Sequence, residues 1–465
     1  MIATKLPVPV QTPIHLVGIG GAGMSSLALV LHQAGYRVTG SDLHLTPTVE
    51  RMRADGIAVS IGHDSANVPP GSIVIRSTAV PETNVEVERA RRCGLKVLKL
   101  AEFVGLLSAV RRTLAVAGTH GKTTTTAMLA SIVIEAGLDP TALIGGIVPS
   151  LGSGARLGSS DLLIVEADEY DRRFLHLHPE IAVVTNVEAD HLDYYGDLAA
   201  IVDAFRAFLN AVPDDGWIIL CADSPLAARL SDVKSEISLT YGLGADAEWR
   251  AVGISRNEVG GNDFYVFAHE TLVGQFRLRV PGLHNVTNAL AATVAAGRIG
   301  VDFTTAATAL EKFSTVRRRL EHKGEAAGVL VLDDYAHHPT EIRTDLAALR
   351  EQYEGRIICL FQPHTYHRLQ SLFDAFANAL SNADVVVVSD VYAPAGRGPS
   401  SGDRTSEDLA RAIVGTTVRY GGDLQSSIKT TAGLVGRGDV VVTMGAGDVT
   451  MAGPEILGIL AQGDT

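Results

Sequence analysis

The sequence predicts an α/β protein, and three observations carry that reading. In Leu114-Ala115-Val116-Ala117-Gly118-Thr119-His120-Gly121-Lys122-Thr123-Thr124, an apolar strand runs into a two-glycine turn and then a helix-compatible segment through Ala136. Earlier, the strand Ile14 to Val17 leads through Gly18-Ile19-Gly20-Gly21-Ala22-Gly23 into an apolar helix ending near Leu31. The rest of the chain keeps alternating short apolar runs with helix-length segments, as parallel sheets covered by helices do.

A chain of 465 residues exceeds what one core usually supports, so two or three domains are expected. With 46% hydrophobic and 20% charged residues, the composition is that of a folded globular protein. A net charge of −13 with no long basic run argues against a nucleic-acid binder, but a few local donors can still hold an anionic small ligand. Cys93, Cys221 and Cys359 are far apart and form no C-x-x-C, so neither a disulfide framework nor a zinc site is expected. Met1 to Gln11 carries one lysine and no long apolar core, and no run of about eighteen apolar residues follows. A cytoplasmic protein without membrane insertion is the expectation.

The turn at Gly118 to Thr124 has the parts of a polyphosphate site. Bare backbone N–H groups approach closely, and a helix N-terminus directs partial positive charge at the ligand. Lys122 would reach the outer phosphates, and the Thr123 hydroxyl would help hold Mg²⁺. The loop is shortened, because Val116 stands where the longer pattern has its first glycine. An ATP or GTP site is predicted, against the plainer reading of an ordinary strand-to-helix turn.

In the first unit, Tyr36 to Asp42 reads as the second strand, and Ile73-Val74-Ile75 and Lys96-Val97-Leu98 read as further strands of one parallel sheet. Gly18, Gly20 and Gly23 form a G-x-G-x-x-G fingerprint with Asp42 nearly twenty residues on. A diphosphate could sit on the helix after Gly23, with Asp42 on a ribose hydroxyl. Those residues leave open whether the ligand is a nicotinamide cofactor.

In the second unit, Asp161 to Val165 ends at Glu166, and Ile181 to Asn186 is followed by Glu188, Asp190, His191 and Asp193. Polar groups past parallel strand C-ends share one crevice, so Glu166 and His191 are predicted to meet the metal near Thr123. The segment from Trp217 to about Val280 holds further short strands, including Phe264 to Phe267 and Gln275 to Val280, with a hairpin turn at Val259 to Asp263. His284-Asn285-Val286-Thr287-Asn288 opens an alanine-rich helix; capping accounts for one asparagine and leaves the other for a base or ribose. Arg317-Arg318-Arg319 precedes a polar boundary at Glu321 to Gly328 and is either a solvated basic face or a phosphate contact.

The third unit opens with Val329 to Asp334, continued by Tyr335-Ala336-His337-His338-Pro339. Strands at Ile357 to Phe361, Val385 to Val388 and Val440 to Thr443 also run into polar or glycine-rich residues, as at a rim facing a ligand.

Taken together and in order, these motifs resemble those of the Mur ligases. The resemblance rests on Gly18 to Ser25, Gly118 to Thr124, Glu166-Ala167-Asp168-Glu169 and Thr185 to His191. It continues through His284-Asn285 with Asn288, Arg318-Arg319, Asp334 to Pro339 and Phe361-Gln362-Pro363-His364. It implies three domains: a Rossmann-like N-terminal UDP-sugar domain at 1–110, a central P-loop ATPase-like domain with a parallel or mixed sheet at 111–322, and a C-terminal Rossmann-like α/β domain at 323–465. The first fingerprint (Gly18, Gly20, Gly21, Gly23, Asp42) would then hold the UDP diphosphate, with His63, Ser77 and Thr78 beside it.

ATP would meet Gly118, Thr119, His120, Gly121, Lys122, Thr123 and Thr124, with Asn288, Arg319 and Asp334. Mg²⁺ would be held by Thr123, Glu166 and His191, and the amino acid by Tyr335, His337, His364 and Arg368. Lys122, His191, His337 and Arg368 would carry the catalysis. The implied reaction is ATP-dependent addition of L-alanine to the lactyl carboxylate of UDP-N-acetylmuramate through an acyl phosphate. The alternatives are a recycling ligase that adds a tripeptide to the same sugar, a nicotinamide-dependent dehydrogenase, and a non-catalytic nucleotide-binding regulator. The chain departs from the family pattern at Thr365, Thr315 and Leu320. No lysine stands between His191 and Lys234, where most siblings carry a carbamylated one, which favours the L-alanine branch.

Overall fold

Among the residues described in the computed structural model, 6–393, 398 and 402–463, the strands form three sheets that follow one another along the chain. In the first sheet, β1 is Ile14–Val17, β2 Val38–Asp42, β3 Ala58–Ile61, β4 Ile73–Arg76 and β5 Val97–Lys99. All its pairings are parallel in the order β3-β2-β1-β4-β5. The connections leave β1 and β4 in opposite directions, which opens a crevice beyond their C-terminal ends.

The second sheet comprises β6 Arg112–Ala117, β7 Thr141–Val148, β8 Ser153–Arg156, β9 Leu162–Glu166, β10 Ile181–Val184, β11 Trp217–Cys221, β12 Ser238–Gly242, β13 Trp249–Arg256, β14 Asn262–Ala268 and β15 Thr271–Arg277. Their order is β15-β14-β13-β12-β11-β10-β6-β9-β7-β8. The centre is parallel and both edges end in antiparallel pairs, β7 with β8 and β14 with β15. Strand β6 is buried along Thr113 to Ala117, as a strand covered on both faces must be.

The third sheet comprises β16 Glu321–Ala326, β17 Val329–Asp334, β18 Ile357–Phe361, β19 Val385–Ser389, β20 Thr417–Gly422 and β21 Val440–Met444. Its order is β16-β17-β21-β18-β19-β20, parallel except for β16.

The chain forms two compact units. One holds the first two sheets. Within it the helix Ala22–Gln33 packs on β7 and β8, and the Gln33 side chain accepts from the Leu157 N–H at 3.0 Å. Lys99 also pairs with Asp171 at 3.3 Å. The other unit holds the third sheet with segments 256–262 and 279–285, where Arg256 donates to the carbonyls of Glu351 and Gln352 at 2.9 and 2.6 Å. Its core gathers Leu346, Phe361, Phe376 and Val442 against the sheet.

The structure corrects the sequence reading in three places. The polar stretch Glu321 to Gly328 is no plain boundary: 321–326 is the edge strand β16, whose charged residues suit an edge position. The second strand starts at Val38, while Tyr36 turns inward and bonds the Val8 carbonyl at 2.5 Å. The β7–β8 hairpin and β3 were not read at all, because Ala58–Ile61 and Ser153–Arg156 lack a sustained apolar run. All three cysteines are free. No helix among the described residues is long and apolar enough to cross a membrane.

Candidate active site

The phosphate-type loop leaves the end of β6 and enters the helix Lys122–Glu135. Strand β10 lies beside β6 and holds the loop from below. The Thr119 N–H donates to the Asn186 carbonyl at 3.1 Å and the His120 N–H to Asn186 Oδ1 at 2.8 Å. Asn186 Nδ2 returns a bond to the His120 carbonyl at 3.1 Å, and the Glu188 N–H donates to Thr119 Oγ1 at 2.8 Å. Gly118 has φ 137°, and a Cβ there would stand 2.0 Å from Thr185 Oγ1, so only glycine allows this approach. Asn288 lies under the turn, where Thr125 donates to its Oδ1 at 3.1 Å. Both asparagines are nearly buried, and Asn285 bonds the Pro281 carbonyl at 2.7 Å.

Strand β9 brings acids to the same end of the sheet. Thr123 donates to Glu166 Oε1 at 3.1 Å, and the Gly145 N–H of β7 to Glu166 Oε2 at 2.7 Å. Lys122 Nζ bonds the Gly118 carbonyl at 2.5 Å, the Thr119 carbonyl at 3.0 Å and Glu169 at 2.9 Å. His191 Nε2 lies 4.0 Å from Glu169 and 3.7 Å from Asp190, with its ring against Tyr170. Burial pushes Glu166 above the ordinary carboxylate range despite Lys122, the Gly145 N–H and Thr123. Burial also lifts Glu169 to about 7, against the pull of Lys122 and with a push from Asp168. Lys122 is held above its ordinary value: burial would lower it, but Glu169, Asp168 and Glu166 outweigh that.

In the first sheet, the Gly20 N–H donates to Asp42 Oδ2 at 2.8 Å, so Asp42 braces the glycine turn. Ser77 sits across the crevice: its N–H bonds the Val17 carbonyl at 3.0 Å and its Cβ lies against Gly18. Thr78 follows it directly past β4. The His63 ring is anchored by Ser41 at 3.0 Å.

The other unit gathers its own rim at the ends of β17, β18 and β19. The His337 ring meets Tyr335 at 5.2 Å and His364 at 6.2 Å; His364 stacks on Tyr392 at 5.6 Å. Arg368 reaches His364 Nδ1 at 3.4 Å. Arg318 and Arg319 lie over the Tyr335 ring at 4.9 and 5.4 Å, and Arg319 is 3.5 Å from Glu341.

Asp334 is only 1% exposed, and its oxygens accept the N–H groups of Leu320 and Ala336, both at 2.6 Å. Its place is therefore behind the Arg319 segment, which it holds in shape. Burial lifts Asp334 to about 6 against the pull of Arg319, and burial together with Asp334 and Glu341 raises Asp345. Burial and Arg319 push His284, 3.6 Å from Asp345, down to about 4, so it is neutral.

Glu169 and Gly145 were not assigned from sequence. Glu169 was quoted within a motif but carries no periodic signal, since it follows the strand. Gly145 had one: paired glycines inside an apolar run mark close backbone approach, and a Cβ there would stand 2.4 Å from Glu166 Oε2.

A strand–glycine loop–lysine helix, flanked by buried acids and a histidine at neighbouring strand ends, is the arrangement of a polyphosphate-binding protein. The comparisons agree across the whole chain. Residues 13–112 match the model of the Mur ligase family catalytic domain, 116–296 the Mur ligase middle domain, and 318–447 the Mur ligase glutamate ligase domain. The UDP-N-acetylmuramate–L-alanine ligase of Anaeromyxobacter sp. strain Fw109-5 is 43% identical over 96% of this chain and 97% of its own. That of Rubrobacter xylanophilus is 42% identical over 96% and 99%. Among solved structures, the UDP-N-acetylmuramate–alanine ligase MurC of Thermotoga maritima superposes with a TM-score of 0.83 at 29% identity, covering 98% of this chain and 100% of its own. A murein peptide ligase from Psychrobacter arcticus gives 0.73 at 28%, covering 97% and 99%. The chain belongs to the Mur ligase family.

Proposed function

We propose that this chain joins L-alanine to the lactyl carboxylate of UDP-N-acetylmuramate at the expense of ATP, releasing ADP and phosphate, as a cytoplasmic step in building peptidoglycan precursors. The observation that carries the reading is the Lys122 loop with its buried acids, set in a chain whose full length matches ligases of that name. We place the domain limits at about 110 and 322, a reading supported by the passage from the first sheet to the second between Lys99 and Arg112 and by the start of the third at Glu321.

A carboxylate is a poor acyl donor, so the reaction requires its conversion to an acyl phosphate. Phosphoryl transfer asks for positioning and charge neutralisation. The backbone amides from Gly121 to Thr124 and the Lys122 ammonium grip the outer phosphates, while Asn186 holds the amides of Thr119 and His120 and Asn288 keeps the turn in shape. On our reading the glycine turn Gly18 to Gly23, with Asp42, His63, Ser77 and Thr78, holds the nucleotide-sugar. Arg319, positioned by Asp334, contributes to the nucleotide. Tyr335, His337, His364 and Arg368 receive the amino acid, Arg368 being suited to its carboxylate.

The buried excess of acid over Lys122 suits a divalent cation, and Thr123, Glu166 and His191 are oxygen and imidazole donors of the right kind. Magnesium there would offset the charge that gathers on the transferred phosphoryl group.

Mixing protein, UDP-N-acetylmuramate, L-alanine, ATP and Mg²⁺ should give a product heavier than the sugar nucleotide by one alanyl residue, with phosphate released only when all are present. Phosphate release without amino acid would contradict the reading. The Psychrobacter murein peptide ligase keeps a peptide-adding alternative concrete, and competing tripeptide against L-alanine in the same assay decides between the two readings. A dehydrogenase would leave the Lys122 loop without a task.

A further inference from the structure

The first sheet contains a buried polar chain that none of the chemistry above uses. Glu86, on the helix Val85–Arg92, is 0% exposed yet takes four hydrogen bonds. Its Oε1 accepts from the Asp64 N–H at 3.1 Å and Asn67 Nδ2 at 2.7 Å. Its Oε2 accepts from the Ser41 hydroxyl at 2.5 Å and His15 Nε2 at 3.3 Å. Burial works to raise this carboxyl, but the bonds from His15, Ser41 and Asn67 prevail and hold it down at about 2, so it is ionised.

An ionised carboxylate only accepts, so each group bonded to it must donate. His15, fully buried in β1, must carry a proton on Nε2, and its Nδ1 lies 2.8 Å from Thr39 Oγ1. Ser41 spends its single hydrogen on Glu86. Its oxygen, 3.0 Å from His63 Nδ1, must therefore accept, which places the His63 proton on Nδ1. His63 Nε2 is then the nitrogen offered outward from a side chain that is 15% exposed.

We propose that Glu86, acting through Ser41, is a positioning residue that fixes His63 in its Nδ1–H tautomer, so that Nε2 meets the nucleotide-sugar as an acceptor for a hydroxyl or N–H donor. This rests on the reading of His63 as a nucleotide-sugar contact. Glu86→Gln tests it, because the fixed Asp64 N–H demands the amide carbonyl and turns the amide nitrogen toward Ser41. Ser41 must then accept from that nitrogen and donate to His63, driving the proton to Nε2.

Nitrogen NMR of the full-length protein with ring-labelled histidine reads the tautomer directly. Steady-state kinetics read KM for each substrate in wild type, E86Q, H63A and the double variant. Expected are an Nδ1–H signal for His63 in wild type, a shift toward Nε2–H in E86Q, and a rise of about tenfold in KM for UDP-N-acetylmuramate with KM for ATP unchanged. In the H63A background, E86Q should change that KM less than about twofold. An Nε2–H tautomer in wild type overturns the proposal whether or not E86Q folds. So does a KM rise of equal size in the H63A background. The tautomer is measured without substrate, so absence of ligase turnover would sink the functional reading alone.

Discussion

Lys122 holds three partners, and each bears on what its removal does. Lys122→Met should lower kcat/KM by about a hundredfold or more, since one charge-stabilising donor is typically worth that much in phosphoryl or acyl transfer. Steady-state phosphate release measures it, and activity within a factor of about three of wild type would remove this loop from the chemistry. Glu86 predicts the acid behaviour of the first domain. Its folded-state value, about 2, lies below the ordinary 4.5, so its contribution to stability is complete above the higher value and is lost as pH falls toward the lower. Urea midpoints taken from pH 6 to 3 should therefore fall more steeply for wild type than for E86Q. At this scale the glycine loops and Lys122 were legible because local sequence dictates them. Asp334 was legible as important but not as buried, since its two backbone partners, Leu320 and Ala336, flank it only after the 318–320 segment folds back. Glu86 was invisible, because its partners are separated by up to 71 residues.

Among the elements, β9 and β10 were read correctly as strands, and the sheet order brings their ends to the Lys122 loop: both flank β6 in parallel. What periodicity could not supply was β7, whose Gly145 presents its N–H to Glu166. Gly145→Ala would place a methyl 2.4 Å from Glu166 Oε2 and must displace that carboxylate. The expected result is a loss of about tenfold to a hundredfold in kcat with a small change in melting temperature; unchanged kcat would mean that Glu166 tolerates being moved. Strand β10 makes a parallel case. Asn186→Ala removes two bonds to His120, at 2.8 and 3.1 Å, and should cost about 2 kcal/mol in a denaturant titration while raising KM for ATP.

For the whole molecule, three sheets each carry polar groups past the C-terminal ends of their parallel strands, and each rim holds a different kind of group. The first offers glycine amides with His63, the second Lys122 with buried acids, and the third histidines, tyrosines and arginines. That division suits the three substrates of the proposed reaction. The edges of the sheets were less legible: β8 and β16 were not read as strands, since their mixed polarity gives no clean alternation, and β15, expected at Gln275 to Val280, runs Thr271–Arg277.

The central claim is that the carboxylate of the sugar nucleotide takes the terminal phosphoryl group of ATP before the amine attacks. Turnover of UDP-N-acetylmuramate labelled with ¹⁸O in its lactyl carboxylate tests it. One labelled oxygen should leave in the released phosphate for each amide bond formed. Unlabelled phosphate accompanying amide formation would contradict the account.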